Sequence, residues 1–190
     1  MVKAGKISPA QLLSARHIWM ASKETDAAIA RPETFIEGAG TFLKAAVDVA
    51  RKDGTAVATD LPFHIATTMY TGGENAFYAS CAQRKIAAYF NLLKNTANWK
   101  TWLATKGPIL VGLSVDHSWD NATATGGKID VFQPNTGRGG HAVAVVGYRT
   151  DGRFIVRNSW GTGWGDHGFG YVSEAYIAAG FFNESYGVIL

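Results

Sequence analysis

The sequence predicts an α+β fold in which helices come first and an antiparallel sheet follows. Three observations support this prediction. Apolar residues recur at helical spacing in the first half of the chain, and branched apolar residues fill the strand-like runs after Gly107. Asp151 and Gly152 lie between two such runs, a pattern typical of a β-hairpin. The sequence therefore predicts two lobes, a helical one at residues 1–107 and a β-rich one at residues 108–190.

The first lobe is predicted to contain three helices. Ser8 and Pro9 suit an N-cap and a first helical turn, and the segment PAQLLSARHIWMASKE that follows has apolar residues at roughly helical spacing. A second helix is expected to begin at Thr41 and to end before Gly54. The third is expected over ANWKTWLATK, ending at Gly107 and the proline after it.

The second lobe is predicted to be a small antiparallel sheet. Its strands are expected in the segments ILVGLSVD, KIDVF, HAVAVVGYR and RFIVRNSW. Two further strands are expected near Gly168–Val172 and Tyr186–Leu190, with a short helix beginning at Ser173 between them.

Composition narrows the class of protein. The 190 residues are 47% hydrophobic and 17% charged, an ordinary balance for a chain with a real core. The net charge of +3 is spread along the chain without a basic run, so no nucleic-acid partner is expected. The apolar runs are shorter than the roughly 20 residues of a membrane span, and the N-terminus lacks a signal-peptide pattern. A soluble protein with no membrane partner is expected.

The chain has one cysteine, Cys81, which excludes an internal disulfide framework and a zinc site built from several cysteines. The cellular compartment stays open, with a mild preference for a reducing one.

The predicted hairpin brings two chemically informative residues together. His141 begins one strand and Asn158 follows its partner strand, so the fold of the hairpin lets the two side chains meet. A carboxamide can fix the orientation and tautomer of an imidazole without adding a full negative charge. This arrangement suits a thiolate and imidazolium pair, whereas a serine nucleophile more often has a carboxylate at that position.

The segments GGHAVAVVGY and NSWGTGWGD resemble the histidine and asparagine blocks of the papain-like cysteine peptidases. The resemblance implies that His141 is the general acid and base and that Asn158 orients it. It also implies that Trp160 covers their hydrogen bond and that Trp164 forms an apolar wall on the leaving-group side.

The resemblance extends upstream, where EGAGTFLKAAVDVARKDG is similar to the substrate-binding loop and following helix of the family. It implies that Gly40, together with Gly38, pairs its backbone with an extended peptide or protein substrate. The implied fold is the two-lobed papain-like architecture, and the implied reaction is peptide hydrolysis through an acyl-enzyme. That reaction needs no metal and no organic cofactor.

The sequence departs from the family at the nucleophile. Nothing in MVKAGKISPAQLLSARHIW matches the family's cysteine-containing segment, so the nucleophile is expected to be absent from these 190 residues. Three explanations stay open: a truncated peptidase, which is favoured; the larger part of a split enzyme whose thiol comes from another chain; or a non-catalytic peptide-binding relative. The chain alone is expected to be inactive. If so, its partners would include the missing segment or a chain that supplies it.

Cys81 is the alternative nucleophile within the chain. It follows NAFYAS and precedes a plausible helix, whose N-terminus would lower the pKa of the thiol. A lone cysteine is more often a small buried apolar residue, and a structural role is therefore expected.

The remaining polar residues are interpreted as structural rather than functional. Asp116, His117 and Asp120 have the residue types of a metal site, but at the end of a strand they are more typical of a turn with local hydrogen bonds. No metal site is predicted, and no role is assigned to the other histidines, which are His17, His64 and His167.

Overall fold

The structure, a computed structural model, describes residues 1, 5–25, 40–63 and 73–190. The helices of this part of the chain are α1 (Ala15–Thr25), α2 (Leu43–Lys52), α3 (Glu74–Ala82), α4 (Thr96–Thr105), α5 (His117–Asp120) and α6 (Glu174–Gly180). Its strands are β1 (Ala88–Asn91), β2 (Ile109–Val115), β3 (Lys128–Ile129), β4 (Gly139–Tyr148), β5 (Phe154–Arg157), β6 (Phe169–Val172) and β7 (Phe181–Ile189).

The chain divides into two compact units, Met1–Tyr89 with Ile189–Leu190, and Phe90–Val188. The lobe boundary predicted at Gly107 lies within the second unit. Helix α4 belongs to that unit because Trp99, which is fully buried, packs among the apolar side chains of the sheet. The change from helical to strand pattern at Gly107 therefore marks the end of an element rather than the end of a unit.

In the first unit, helix α1 begins later than the sequence predicts. The N–H of His17 donates to Oγ of Ser14 at 3.0 Å, so Ser14 rather than Ser8 is the capping residue. The residues just before Ser14 are held in extended pairing, since Leu13 forms an antiparallel bridge with Val57. The prediction of a helix start at Ser8 and Pro9 was wrong because this long-range pairing competes with the local helix signal.

Helix α2 lies closer to its predicted position than α1 does. It ends at Lys52, just before Gly54, which has a φ of +90° that favours glycine. Phe42, not Thr41, occupies the N-cap position, and the side chain of Phe42 has no atom that could accept a hydrogen bond. A Cβ at Gly54 would lie 2.0 Å from the carbonyl oxygen of Cys81, so the backbones of the two segments are in direct contact.

The second unit is built on a sheet with the strand order β7-β2-β4-β5-β6-β3 and with β1 beside β7. The pairs β2–β4, β2–β7, β4–β5 and β5–β6 are antiparallel, while β3 pairs with β6 in parallel. The strands predicted in this half are confirmed, although the KIDVF segment contributes only Lys128–Ile129.

Local signals explain the helices and turns of this unit. Side chains cap both α4 and α6: Asn95 accepts from the N–H of Asn98, and Ser173, where the sequence predicts a helix start, accepts from that of Tyr176. Gly152 has a φ of +85° in the turn between β4 and β5, which confirms the predicted hairpin.

The sheet carries the apolar core of the second unit. Its members are fully or nearly buried side chains from both the strands and the helices of this unit; they include Trp99, Ile109, Val111, Leu113, Trp119, Val145, Phe154, Val156, Val172 and Tyr176. The described helices are all too short, or too polar, to cross a membrane.

Candidate active site

His141 and Asn158 are hydrogen-bonded across the hairpin. Nε2 of His141 lies 2.8 Å from Oδ1 of Asn158. Strands β4 and β5 pair Ala144 with Arg157, so the two residues lie just beyond one end of this ladder. The N–H of Asn158 donates to the carbonyl of Gly168 at 3.0 Å, which fixes its backbone beside β6. The contact predicted from the sequence is therefore present.

The surroundings of the carboxamide define the tautomer of the imidazole. Oδ1 of Asn158 also accepts the backbone N–H of Ser159 at 2.8 Å. Because a backbone N–H only donates, this second bond identifies the atom as the amide oxygen. Nε2 of His141 must then carry a proton, and in the neutral ring Nδ1 is the nitrogen that accepts one. Within the described part of the chain, the buried Nδ2 of Asn158 has no hydrogen-bond partner.

The ring of Trp160 covers the imidazole. The two rings stack with centroids 5.0 Å apart and an interplanar angle of 30°. Trp160 is 44% exposed, whereas Asn158 is buried. An indole on this side limits the access of water to the pair and so strengthens the hydrogen bond between them. The resemblance stated above implies this position for Trp160.

Trp119 is a site residue that the sequence analysis missed. It is fully buried, it stacks on Trp164 with centroids 5.2 Å apart, and its ring meets that of His141 edge-on at 6.0 Å. Nothing in the pattern around Trp119 signals this role, since it lies in a helix of a single turn. Trp164 is itself buried and donates from Nε1 to the carbonyl of Trp119 at 2.7 Å. The exposed indole of the cluster belongs to Trp160.

A buried polar chain lies behind Trp119. Its indole N–H donates to the hydroxyl of Tyr176 at 2.9 Å, and this hydroxyl donates to Oδ1 of Asp116 at 2.9 Å. Burial, together with the neighbouring carboxylate, raises the pKa of Tyr176. The backbone N–H groups of Ser118 and Gln133 donate to the same carboxylate, so its charge is well satisfied.

The contacts of the cluster at residues 116–120 are those of a turn. Asp116 forms the expected local hydrogen bonds with Ser118, and Asp120 forms an ion pair with Arg138. Across residues 1, 5–25, 40–63 and 73–190, no three histidine, cysteine or acidic side chains are grouped as a metal site would require.

His141 and Trp160 also line a cavity of about 380 Å³ within the second unit. Asp120, Arg138 and the backbone of Gly139 form other parts of its lining. The imidazole is therefore accessible from a space large enough for a side chain of a bound peptide.

Cys81 has the environment of a structural residue. It lies in the last turn of α3 and is fully buried in the core of the first unit. The expected position before a helix N-terminus was wrong, because the helix precedes the cysteine instead of following it. Burial raises the pKa of the Cys81 thiol, which disfavours the thiolate.

The glycines assigned to substrate binding belong to the first part of the chain. Gly40 is exposed, and its carbonyl accepts from Nζ of Lys23 at 3.0 Å. Gly38 lies outside the described residues, and so does His64. Pairing of Gly40 and Gly38 with a substrate backbone stays a prediction.

The other two histidines differ in their surroundings. His17 is fully buried and accepts at Nδ1 from the N–H of Ala56 at 3.2 Å. Burial lowers the pKa of His17. His167 is exposed in a turn with a φ of +52°.

Comparison with known proteins identifies the family to which the chain belongs. A sequence model described as the papain family of cysteine proteases matches residues 13–186. Cathepsin S of Mus musculus is 43% identical over 74 residues, which are 37% of this chain and 21% of that protein. A viral cathepsin of Cydia pomonella granulosis virus is 32% identical over 96 residues, 49% of this chain and 28% of that protein. The alignments thus span less than a third of the length of these relatives.

The fold agrees with solved structures over nearly the whole chain. Xylellain, a cysteine protease from Xylella fastidiosa, superposes with a TM-score of 0.78 at 23% identity, covering 99% of this chain and 74% of that one. Procathepsin L 3 of Tenebrio molitor superposes with a TM-score of 0.62 at 15% identity, covering 100% of this chain and 58% of that one. The papain-like α+β fold predicted from the sequence is confirmed, and the chain belongs to the papain family of cysteine proteases.

Proposed function

We propose that this chain supplies the acid and base catalyst of a cysteine peptidase. His141 is the proton carrier, Asn158 orients its ring and Trp160 shields the pair. The observation that supports this most directly is the 2.8 Å hydrogen bond between Nε2 of His141 and Oδ1 of Asn158 beneath the Trp160 ring. It leaves Nδ1 as the nitrogen that exchanges protons with the reacting groups.

The reaction proceeds in two halves. A thiolate attacks the carbonyl carbon of the scissile peptide, and the imidazolium of His141 gives its proton to the departing amine. The neutral imidazole then takes a proton from water, whose oxygen attacks the thioester and releases the thiolate with the acid product. The imidazolium and thiolate pair is thereby restored. These steps use neither a metal nor an organic cofactor.

A carboxamide suits this cycle better than a carboxylate would. Asn158 holds the ring through a neutral acceptor, so it does not add a second negative charge beside the thiolate. The N–H of Ser159 occupies the same oxygen and restricts rotation of the amide. The orientation of the imidazole is then kept in both of its charge states.

The thiol itself is proposed to come from outside these 190 residues. Cys81 is the one cysteine of the sequence, and its burial and raised pKa argue against a role as nucleophile. A longer form of the same polypeptide is the favoured source. A separate polypeptide that completes a split enzyme is the alternative.

A non-catalytic peptide-binding protein is the second candidate function. The observation that favours it is again the burial of Cys81, because a chain with this composition has the base but no accessible thiol of its own. The cavity beside His141 would then bind peptides without cleaving them.

A thiol-directed peptide probe separates these functions. The probe is applied to the present chain and to a form extended by the coding sequence upstream of Met1, each with a matched His141→Ala variant. We expect labelling of the extended form alone, and a much slower reaction in its His141→Ala variant. Labelling of a co-purifying polypeptide identifies the split enzyme. Labelling at Cys81 overturns the assignment of the nucleophile, and peptide binding without any labelling favours the binding protein.

A further inference from the structure

We propose that the cavity beside His141 binds a carboxylate of the substrate on the leaving-group side of the scissile bond, and that Arg138 selects it. This inference rests on the proposed function, because it takes His141 as the group that protonates the departing amine. It adds a substrate preference, for an acidic residue or a chain-terminal carboxylate directly after the cleaved bond.

The position of the cavity indicates which side of the scissile bond the bound part of the substrate comes from. His141 and Trp160 form part of its lining, and the described residues that line it belong to the second unit. An imidazolium can transfer its proton only to an atom within hydrogen-bonding distance, so the departing amine must lie beside His141. The residue that carries this amine is then the one nearest to the cavity.

The shape of the cavity suits one side chain. Its volume is about 380 Å³, near the lower end of the range for small-molecule pockets. Gly139 and Gly140 line it without side chains. Gly139 has a φ of +119°, which favours glycine, and a Cβ built there would meet no atom within 4 Å in the described parts of the chain. The backbone therefore leaves this part of the cavity open.

Arg138 is anchored so that its guanidinium can serve as a receptor. Its backbone N–H donates to the carbonyl of Val115 at 2.7 Å, and Nη1 pairs with Oδ1 of Asp120. The side chain is nevertheless 59% exposed. Among the described residues Nε and Nη2 have no hydrogen-bond partner, so the N–H groups along this edge of the planar group are available to a ligand carboxylate.

The balance of charge favours an anionic ligand. When His141 is protonated, the described part of the lining carries two positive charges, His141 and Arg138, and one negative charge, Asp120. An ammonium group would meet two like charges and would compete with Arg138 for Asp120. A carboxylate would meet the free edge of the guanidinium and the field of the imidazolium.

Binding of short peptides to the present chain tests the inference without any need for catalysis. The ligands are two dipeptide amides with free N-termini, glutamyl-glycinamide and glutaminyl-glycinamide. These compounds differ in one charge and represent the product released from the leaving-group side. The readout is the NMR signals of the His141 ring and the Trp160 indole, followed as each peptide is added.

We expect the glutamyl peptide to bind about fivefold more tightly than the glutaminyl peptide, the effect of one partly exposed ion pair. Arg138→Gln should remove this difference. Arg149→Gln, at the other end of β4, should leave it unchanged, and Asp120→Asn should enlarge it by freeing the guanidinium. Equal affinity of the two peptides for the unmodified chain overturns the inference, as does a difference that survives in Arg138→Gln.

The outcome is distinguishable from that of the proposed function. If the chain binds the glutamyl peptide more tightly but the thiol probe labels nothing, the carboxylate site is supported and the proposed catalytic role is overturned. In the opposite case the thiol probe labels the extended form, but the rate of peptide cleavage depends neither on the charge of the leaving residue nor on Arg138→Gln. This result supports the peptidase function and overturns the carboxylate site.

Discussion

The ring of Trp119 meets the ring of His141 edge-on, with centroids 6.0 Å apart, and meets that of Trp160 in the same way at 6.1 Å. Trp119 is thus a buried contact shared by the imidazole and by the indole that covers it. Its N–H continues into the buried chain formed by Tyr176 and Asp116. The orientation of His141 therefore depends on a core residue as well as on Asn158.

Replacement of this core residue should disturb both the fold and the site. Trp119→Phe removes the indole N–H that bonds to Tyr176 and part of the stack on Trp164. We expect a loss of about 2–4 kcal/mol in the free energy of unfolding and a shift of the His141 ring signals. Trp102→Phe is the matched control, because the buried Nε1 of Trp102 has no partner among the described residues. Equal losses in the two variants, measured by urea denaturation, would contradict this prediction.

Asn158→Ala should release the imidazole. Without the acceptor at Nε2, the ring loses its preferred tautomer and orientation, which ¹⁵N shifts of His141 report directly. In the thiol-bearing form, the rate of peptide cleavage should fall by about tenfold to a hundredfold, a part of the usual contribution of acid–base catalysis. Ser159→Ala keeps the backbone N–H that bonds to Asn158 and should leave both measurements unchanged.

The first unit should tolerate no side chain at position 54. Gly54→Ala must place a Cβ on a residue with a φ of +90°, at 2.0 Å from the carbonyl oxygen of Cys81. We expect destabilisation by more than about 2 kcal/mol. Gly40→Ala is the control, since a Cβ there would meet no atom of the described residues within 4 Å and the φ of this residue is not positive. Thermal unfolding curves of the two variants compare these costs, and similar midpoints would count against the contact.

Acidification should weaken the first unit through His17. Burial lowers the pKa of this histidine below its ordinary value of 6.5, so the unfolded chain takes up a proton at a higher pH than the folded one does. The free energy of unfolding should therefore fall as the pH drops below about 6.5, until the lowered pKa of the folded state is passed. Amide hydrogen exchange of helix α1 against pH measures this effect. His17→Gln should flatten the dependence, and His167→Gln, at an exposed site, should preserve it.

The reactivity of Cys81 should report unfolding rather than catalysis. Its side chain is fully buried and its thiolate is disfavoured, so a disulfide reagent should react no faster than the first unit opens. Cys81→Ala should leave the His141 and Trp160 signals unchanged. Rapid reaction of the folded chain would show instead that this thiol is accessible.

The elements of the second unit could be predicted because their signals are local. Branched apolar runs, the Asp151–Gly152 turn and the capping residue Ser173 each act within a few residues, and each is found where the pattern indicates it. The contact between His141 and Asn158 followed from the same hairpin. The fold and the central pair were thus accessible from the sequence.

The features that were not predicted depend on contacts distant in sequence. The true start of α1 is set by the pairing of Leu13 with Val57, and the position of Trp119 by its packing on Trp164. Residues far apart along the chain make these contacts, so no local period encodes them. The position of Cys81 at the end of α3 was missed for a related reason, since its surrounding segment has no clear periodicity.

The short distance in sequence between His141 and Asn158 has a consequence for how such proteins are recognised. Both side chains belong to one hairpin and are 17 positions apart in the sequence, so the hairpin itself brings them together. A descendant that had lost its capacity to cleave peptides could keep this corner of the molecule intact. The presence of the His141 and Asn158 pair therefore indicates descent from a peptidase, whereas peptide cleavage is shown by a chemical assay.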